Sequence, residues 1–500
     1  MKSLIAAWIL LLALAGALRF HDLGSRPLHA DEATGARITA RAQEGGYRFD
    51  PTHYHGPTLH RLGQFAGSLA GQHRWAEMEI LPLRTITAIA GLLIVAAPLL
   101  GVRRFGHGPM LLAALLLATS PLLVYYSRMY IHESLLAVFG VLLLAQLALG
   151  KHLWLVGLWL GLMFATKETF VISLAAWSLA AALCWLFLGK GRPSLSALWK
   201  SHRRDLLLGI AVFVFSSLLF YTDGFLHWRG AADAIRTYFI YETSDAHHKP
   251  PFWYLQSLAL PEKIRAHWWW TGAPLLLALL GARRLIRPHA PVGSTTPSPG
   301  RSPLLFLSLA AAFHLIFYSA IGYKTPWLML LPLAHLCLLG GFAIPGNRRR
   351  FARPAFMAVL TAMISWQLVQ TCRASFEFPT DSRNPFAYVP TSPDINELEP
   401  WLQQLEDAQP ELPLEPIAVV GADYWPLPWY LRHYEKVGFY AEPPDSLERL
   451  PLILATSDLT DSLIATHIPI PRGLRENFPL TAWIRQDLWQ DFIKTSAPSP

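Results

Sequence analysis

The chain has 500 residues, of which 53% are hydrophobic and only 15% charged. Soluble domains carry roughly 25% charged residues, so this composition belongs in a bilayer. The formal net charge is +8, but Lys and Arg fall in short clusters between apolar runs, which argues against a nucleic-acid surface.

Apolar runs fall near 4–18, 81–102, 109–126, 131–149, 153–166, 169–188, 205–222, 271–286, 303–321, 327–344 and 355–371. Several approach the roughly 20 residues that span a membrane. The first resembles a signal peptide, yet "ALRFHDLGSRPLHADE" offers no small-residue cleavage site and many spans follow, so it reads as a retained helix. Cys184, Cys337 and Cys372 all lie in or at the end of apolar runs and suggest neither a disulfide framework nor a zinc site.

With the N-terminus inside, the basic clusters all fall on the cytoplasmic side, as the positive-inside rule requires. They are Lys2, Arg103 with Arg104, Lys151 with His152, "GKGR" with "KSHRR", "ARRLIRP" and "NRRRFAR". "PVGSTTPSPGRSP" reads as a disordered linker. The outer side then collects the first loop, "YYSRMYIHES", "ATKET", the loop 223–270, "GYKTPW" and the C-terminal tail. From 373 to 500 short apolar runs alternate with turn residues, as in a small α/β domain. The expected architecture is an all-α polytopic membrane domain over 1–372, with about eleven transmembrane helices and an interfacial helix in the first outer loop. An extracytoplasmic α/β domain over 373–500 follows it. The expected location is the cell (inner) membrane.

The first loop opens with "LHADEATGARITARA", in which Asp31 and Glu32 sit at a helix start. Acidic residues in a first turn complement the helix dipole, so capping alone explains them as well as chemistry does. Arg37 and Arg41, one turn apart, suit a helix lying in the interface plane. In "YYSRMYIHES", Arg128, His132 and Glu133 interrupt the apolar flow, and ionisable residues at membrane depth are expensive enough to suggest function. Arg128 offers a planar fork that fits a phosphate. The bland alternative is a wet loop with an aromatic belt of Tyr125, Tyr126 and Tyr130.

Lys167 and Glu168 in "ATKET" form either a local ion pair or a cation aimed at the same phosphate. Lys324 in "GYKTPW" either closes a tight turn beside Tyr323 and Trp327 or reaches the lipid-phosphate zone. "DPTHYHGPTLH" concentrates His53, His55 and His60. His53 and His55 with Asp31 or Glu32 can bind a divalent ion such as Mg or Mn, or can hydrogen-bond a sugar or phosphate instead.

Together "RPLHADEA", "DPTHYHGPTLH", "YSRMYIHES", "ATKET", "YKTPW" and "YWPLPWYLR" resemble the GT-C superfamily of membrane glycosyltransferases. Within it, they are most similar to the flippase-activity-associated and dolichyl-phosphate-mannose-protein mannosyltransferase-like proteins. The matching segments run from the first loop to the tail. The resemblance implies a polyprenyl-phosphate sugar donor and a protein, lipid or glycan acceptor. It implies Asp31, with Glu32 beside it, as the acidic pair that takes the acceptor's proton or orients the acceptor. A carboxylate within hydrogen-bond reach can take that proton. Arg128, Lys167 and Lys324 suit the charge that gathers on the leaving phosphate, with His53, His55, His132, Glu133, Glu168 and Tyr323 in support. A single displacement inverts the anomeric carbon. Two other classes compete: a lipid-linked glycan flippase or transporter, and a non-catalytic scaffold of envelope assembly. "WPLPWY" is either an acceptor contact or the core of the outer domain.

Overall fold

A computed structural model describes residues 2–187, 193–240, 247–285, 301–344, 352–476 and 478–496. The basic stretches "GKGR" and "NRRR", and most of the linker "PVGSTTPSPGRSP", lie outside the described residues.

Among the described residues eight helices are long and apolar enough to cross a membrane: Lys2–Phe20, Ile80–Phe105, His132–Leu149, Phe170–Phe187, Leu195–Tyr221, Ser302–Ala320, Pro326–Ala343 and Pro354–Glu377. A further crossing, His107–Thr119 with Pro121–Ser127, is bent by 59°. Ser120 makes the bend. Its hydroxyl accepts the Leu123 amide, and Pro121 supplies the fixed φ that starts a new helix but has no N–H to continue the old one. The runs 153–166 and 271–286 form only the ten-residue helices Leu155–Phe164 and Ala273–Ala282. At 1.5 Å per residue, these cover about half of a 30 Å hydrocarbon core. The eleven apolar runs are therefore eight straight crossings, one broken crossing and two half-length helices.

The first outer loop holds two helices, and their roles differ from the sequence expectation. Ala30–Gly45, expected to lie in the interface plane, buries half of its 16 residues, among them Glu32, Ala36, Ile38 and Thr39. Its small residues let it sit deep, with Gly35 against the Tyr130 ring. The outward apolar face belongs instead to Thr58–Leu69, where Phe65 and Leu69 are exposed. Gly63 on that helix is obligatory, since a Cβ there would overlap the Tyr130 hydroxyl.

A short hairpin pairs β1 (Glu262–Ile264) with β2 (His267–Trp269). The tail folds into a mixed five-stranded sheet of β3 (Ile417–Val420), β4 (Val437–Tyr440), β5 (Leu452–Ala455), β6 (His467–Arg475) and β7 (Phe478–Arg485). The strand order is β4-β3-β5-β7-β6. β3 runs parallel to β4 and β5, and β7 runs antiparallel to β5 and β6. β3 and β5 are buried along their whole length, which explains their unbroken apolar sequences.

This sheet is tied down to the membrane helices. Tyr125, Tyr126 and Tyr130 form no aromatic belt; all three are buried. The Tyr125 hydroxyl donates to the Pro379 carbonyl at 2.7 Å, and that of Tyr126 to Phe386 at 2.6 Å. Thr391 Oγ1 donates to the Leu28 carbonyl, and the Leu28 amide donates to the Tyr430 hydroxyl at 3.2 Å. "WPLPWYLR" makes part of this joint: Trp429 meets Trp75 edge-on, and Arg432 Nε donates to the Met78 carbonyl.

Candidate active site

Helix Ala30–Gly45 starts with a reciprocal cap. The Asp31 amide donates to His29 Nδ1 at 3.1 Å, and the His29 amide donates to Glu32 Oε2 at 3.1 Å. Because Nδ1 accepts, the His29 ring proton lies on Nε2, which donates to the Tyr388 carbonyl at 3.1 Å.

The two adjacent carboxylates have opposite environments. Glu32 is fully buried and held by Arg84, Nε to Oε1 at 2.8 Å and Nη2 to Oε2 at 2.9 Å. The Tyr130 amide adds a third bond at 2.9 Å. Burial alone would raise the Glu32 pKa, but the Arg84 charge and hydrogen bonds, with Arg26 and the Tyr130 amide, bring it down to about 2. Glu32 therefore stays ionised with both oxygens engaged. Asp31, one residue earlier, keeps 57% of its side chain exposed, and His29 Nδ1 lies 3.8 Å from its Oδ2.

Three residues that the sequence did not single out gather near Asp31. His247 is held through Nδ1 by the Tyr388 hydroxyl and meets the Tyr323 ring edge-on at 5.2 Å. Burial pulls its pKa down, Asp31 pulls it back up, and Lys249 and His29 push it further down. The segment His247–Lys249 is fastened to the "GYKTPW" loop: the Lys324 amide donates to the His247 carbonyl and the Lys249 amide to Gly322, both at 3.0 Å. Trp327, at the end of that loop, packs against both His29 and Tyr388. The missed signals were "AHHKPP" in a long outer loop and a single arginine, Arg84, in an otherwise apolar run.

The three expected phosphate ligands are each engaged by the protein. Arg128 donates to the carbonyls of Leu18, Arg19, His21 and Asp22, and its guanidinium lies 4.8 Å from the Phe376 ring centre. It closes the end of the first span. Lys167 is ion-paired with Glu133, and both are buried. Burial would lower the Lys167 pKa, but Glu133 and Glu168 raise it, so it stays charged. Lys324 is buried and caps the carbonyls of Ile321 and Lys249. Tyr323 links two of them, preceding Lys324 in the same turn and standing within electrostatic range of Lys167.

Glu168 bonds His55 at 3.0 Å and is held at about 2, the charges of His55 and Lys167 outweighing its burial. The His132 ring meets both His55 and His60 edge-on at 5.2 Å, and its Nε2 bonds the Gly56 carbonyl. His53 lies apart, exposed on Asp50 at 3.0 Å. The expected metal ligands thus do not assemble: Asp31 faces His29, His53 faces Asp50 and His55 faces Glu168. Among the described residues no group of three or more His, Cys, Asp or Glu side chains is placed to hold an ion.

No family model matches the sequence, and no curated protein is similar to it by sequence comparison. Solved structures are similar in fold. ArnT from Cupriavidus metallidurans in its apo state aligns with a TM-score of 0.64 at 16% identity, covering 97% of this chain and 99% of that one. The same protein bound to undecaprenyl phosphate gives 0.66 at 17%, covering 96% and 98%. The Archaeoglobus fulgidus oligosaccharyltransferase, tethered to an acceptor peptide, gives 0.53 at 15%, covering 92% of this chain and 69% of its own. These likenesses run through the membrane helices and the outer sheet alike, and the fold of this multi-pass membrane chain is that of the GT-C glycosyltransferases.

Proposed function

We propose that the chain is an integral-membrane glycosyltransferase that moves a sugar from a polyprenyl phosphate to an acceptor hydroxyl on the extracytoplasmic face, with inversion. The observation that carries this reading is the split of the acidic pair. A buried Glu32–Arg84 bridge fixes the start of the first-loop helix, and the next carboxylate, Asp31, is left open beside His29, His247 and Tyr388. The GT-C fold is a second, independent support.

In this reading Asp31 accepts the acceptor's hydroxyl proton as its oxygen bonds to the anomeric carbon. The bond from that carbon to the phosphate oxygen breaks, and its electron pair leaves with the polyprenyl phosphate. Lys167 and Lys324, the first within electrostatic range of Tyr323 and the second next to it in the chain, offset the growing charge. Arg128 anchors the first span instead, and Glu32 positions Asp31. No step is routed through a metal. Tyr388 makes the outer domain of 373–500 a contributor to the site formed by 1–372. The acceptor is a protein, lipid or glycan hydroxyl. The N-terminus is cytoplasmic and the sheet extracytoplasmic in the inner membrane, an orientation supported by Arg103 and Arg104 in the last turn of one crossing, Lys151 just past the end of the next straight one, and Arg203 and Arg204 in the N-terminal part of Leu195–Tyr221.

The test is to incubate the purified chain with a panel of polyprenyl-phosphate sugars and measure release of polyprenyl phosphate. Release that disappears in Asp31→Asn, at unchanged abundance and thermal stability, supports the assignment. Absence of release with every donor, with and without divalent cations, overturns it. A scaffold or flippase would be indifferent to Asp31→Asn.

A further inference from the structure

A cavity lies at the ends of the helices opposite to the candidate site. It has a volume of about 510 Å³ and opens between the basic ends of the crossings, lined by apolar groups such as Gly101, Phe105, Val141, Cys184, Leu304 and Leu338. Among the described residues Arg104 is the one charged group in its lining. Arg104 Nη1 donates to the Ala148 carbonyl at 3.0 Å, and the guanidinium lies over the Phe105 ring. That bond uses one of five N–H donors. Among the described residues neither Arg104 nor exposed Arg103 has a carboxylate partner.

A deep apolar slot with an unpaired guanidinium at its mouth has the chemistry of a lipid: a chain inside and a phosphate outside. Basic pockets between helices on the cytoplasmic side are sites where anionic headgroups settle, and the arginine fork suits a phosphodiester. Asp31 follows the other end of the first helix, about one membrane thickness away. The cavity is thus remote from the transfer site.

We propose that this cavity holds an acyl chain of an anionic phospholipid from the cytoplasmic leaflet, with its phosphate on Arg104 and Arg103. The choice of leaflet rests on the orientation proposed above; the binding itself is independent of any sugar transfer. Charge complementarity selects this occupant, because the lining and mouth bring positive charge and no carboxylate.

The test is native mass spectrometry of the detergent-purified full chain, titrated with phosphatidylglycerol, phosphatidylcholine or undecaprenyl phosphate. Cys184, which lines the cavity, adds a second readout through its labelling rate with a membrane-permeant maleimide. The expected result is preferential retention of phosphatidylglycerol, slowed Cys184 labelling when it is bound, and about fivefold weaker retention for each arginine removed in R104Q and R103Q/R104Q. Ala181→Phe, which fills the slot, should abolish both retention and protection. Both arginines are exposed, so their removal leaves the packing intact. Equal retention of phosphatidylcholine, unchanged retention in R103Q/R104Q or persistence in Ala181→Phe overturns the proposal. Preference for undecaprenyl phosphate also overturns it, making the slot a channel for the donor's tail.

Discussion

Arg84 and Glu32 form a bidentate ion pair from which water is excluded on both sides, joining the second span to the first outer helix. Arg84 also donates to the carbonyls of Leu23, Arg26 and Pro27, so one guanidinium organises the whole entry to that loop. Removing one partner of a buried pair leaves an uncompensated charge, at a cost of about 3–5 kcal/mol. Glu32→Ala and Arg84→Met should each lower the thermal unfolding temperature of detergent-solubilised protein sharply. The double variant Glu32→Leu/Arg84→Met should recover part of that loss. Single variants as stable as the parent would show the pair to be idle.

The same bridge gives stability a defined pH window. Glu32 has its pKa lowered in the folded chain to about 2, from 4.5. A depressed carboxylate contributes stability in full above its unfolded pKa and loses it as pH falls through the folded one. The stability gap between the parent and Glu32→Gln should be flat from pH 8 to 5 and shrink between about 4.5 and 2. Buried His60, pulled down to about 3 by burial, favours the folded state less as pH falls below 6.5. That trend is common to both proteins, so it cancels in the difference. A gap that stays constant to pH 2 would contradict the assignment.

Arg128 shows where sequence reading reached and where it stopped. An arginine in an apolar stretch, followed by His132 and Glu133, marks a polar position at the junction of two membrane-length segments. Periodicity and charge cannot tell whether its donors point at a ligand or at four carbonyls of the first helix end. That choice depends on how Lys2–Phe20 terminates beside it. The span pattern was legible because most apolar runs coincide with one membrane-length helical stretch each. The two half-length helices were not, since a ten-residue core and a crossing share the same composition. Arg84 and His247 escaped for the same reason: their partners, Glu32 and Tyr388, lie 52 and 141 residues away.

Arg128→Gln accordingly separates anchoring from phosphate binding. Hydrogen bonds to a charged group contribute about 1.5–3 kcal/mol each when buried, and burial already draws the Arg128 pKa down to about 10. The variant should unfold at a distinctly lower temperature. Its KM for a polyprenyl-phosphate donor, measured below that temperature, should match the parent. Lys167→Met and Lys324→Met should show the reverse bias, with donor KM or kcat affected beyond any change in stability. A raised donor KM in Arg128→Gln at unchanged stability would return Arg128 to the phosphate.

Tyr388 links the C-terminal domain to the candidate site around Asp31, since its carbonyl accepts from His29 and its hydroxyl bonds His247. Tyr388→Phe removes the second contact and keeps the first. His29 should therefore stay in place, and with it the cap of the Asp31 helix, so thermal stability should change little. His247 would lose the partner that fixes its ring beside Asp31. A neutral hydrogen bond contributes about 1 kcal/mol, which is roughly fivefold in rate if it is expressed in the transition state. The expected outcome is a kcat lowered by about that factor with donor KM unchanged. Because His247 and Asp31 interact electrostatically, the acid limb of the pH–rate profile should also move. Equal kcat and an unmoved acid limb in Tyr388→Phe would confine Tyr388 to domain docking and remove His247 from any role at Asp31.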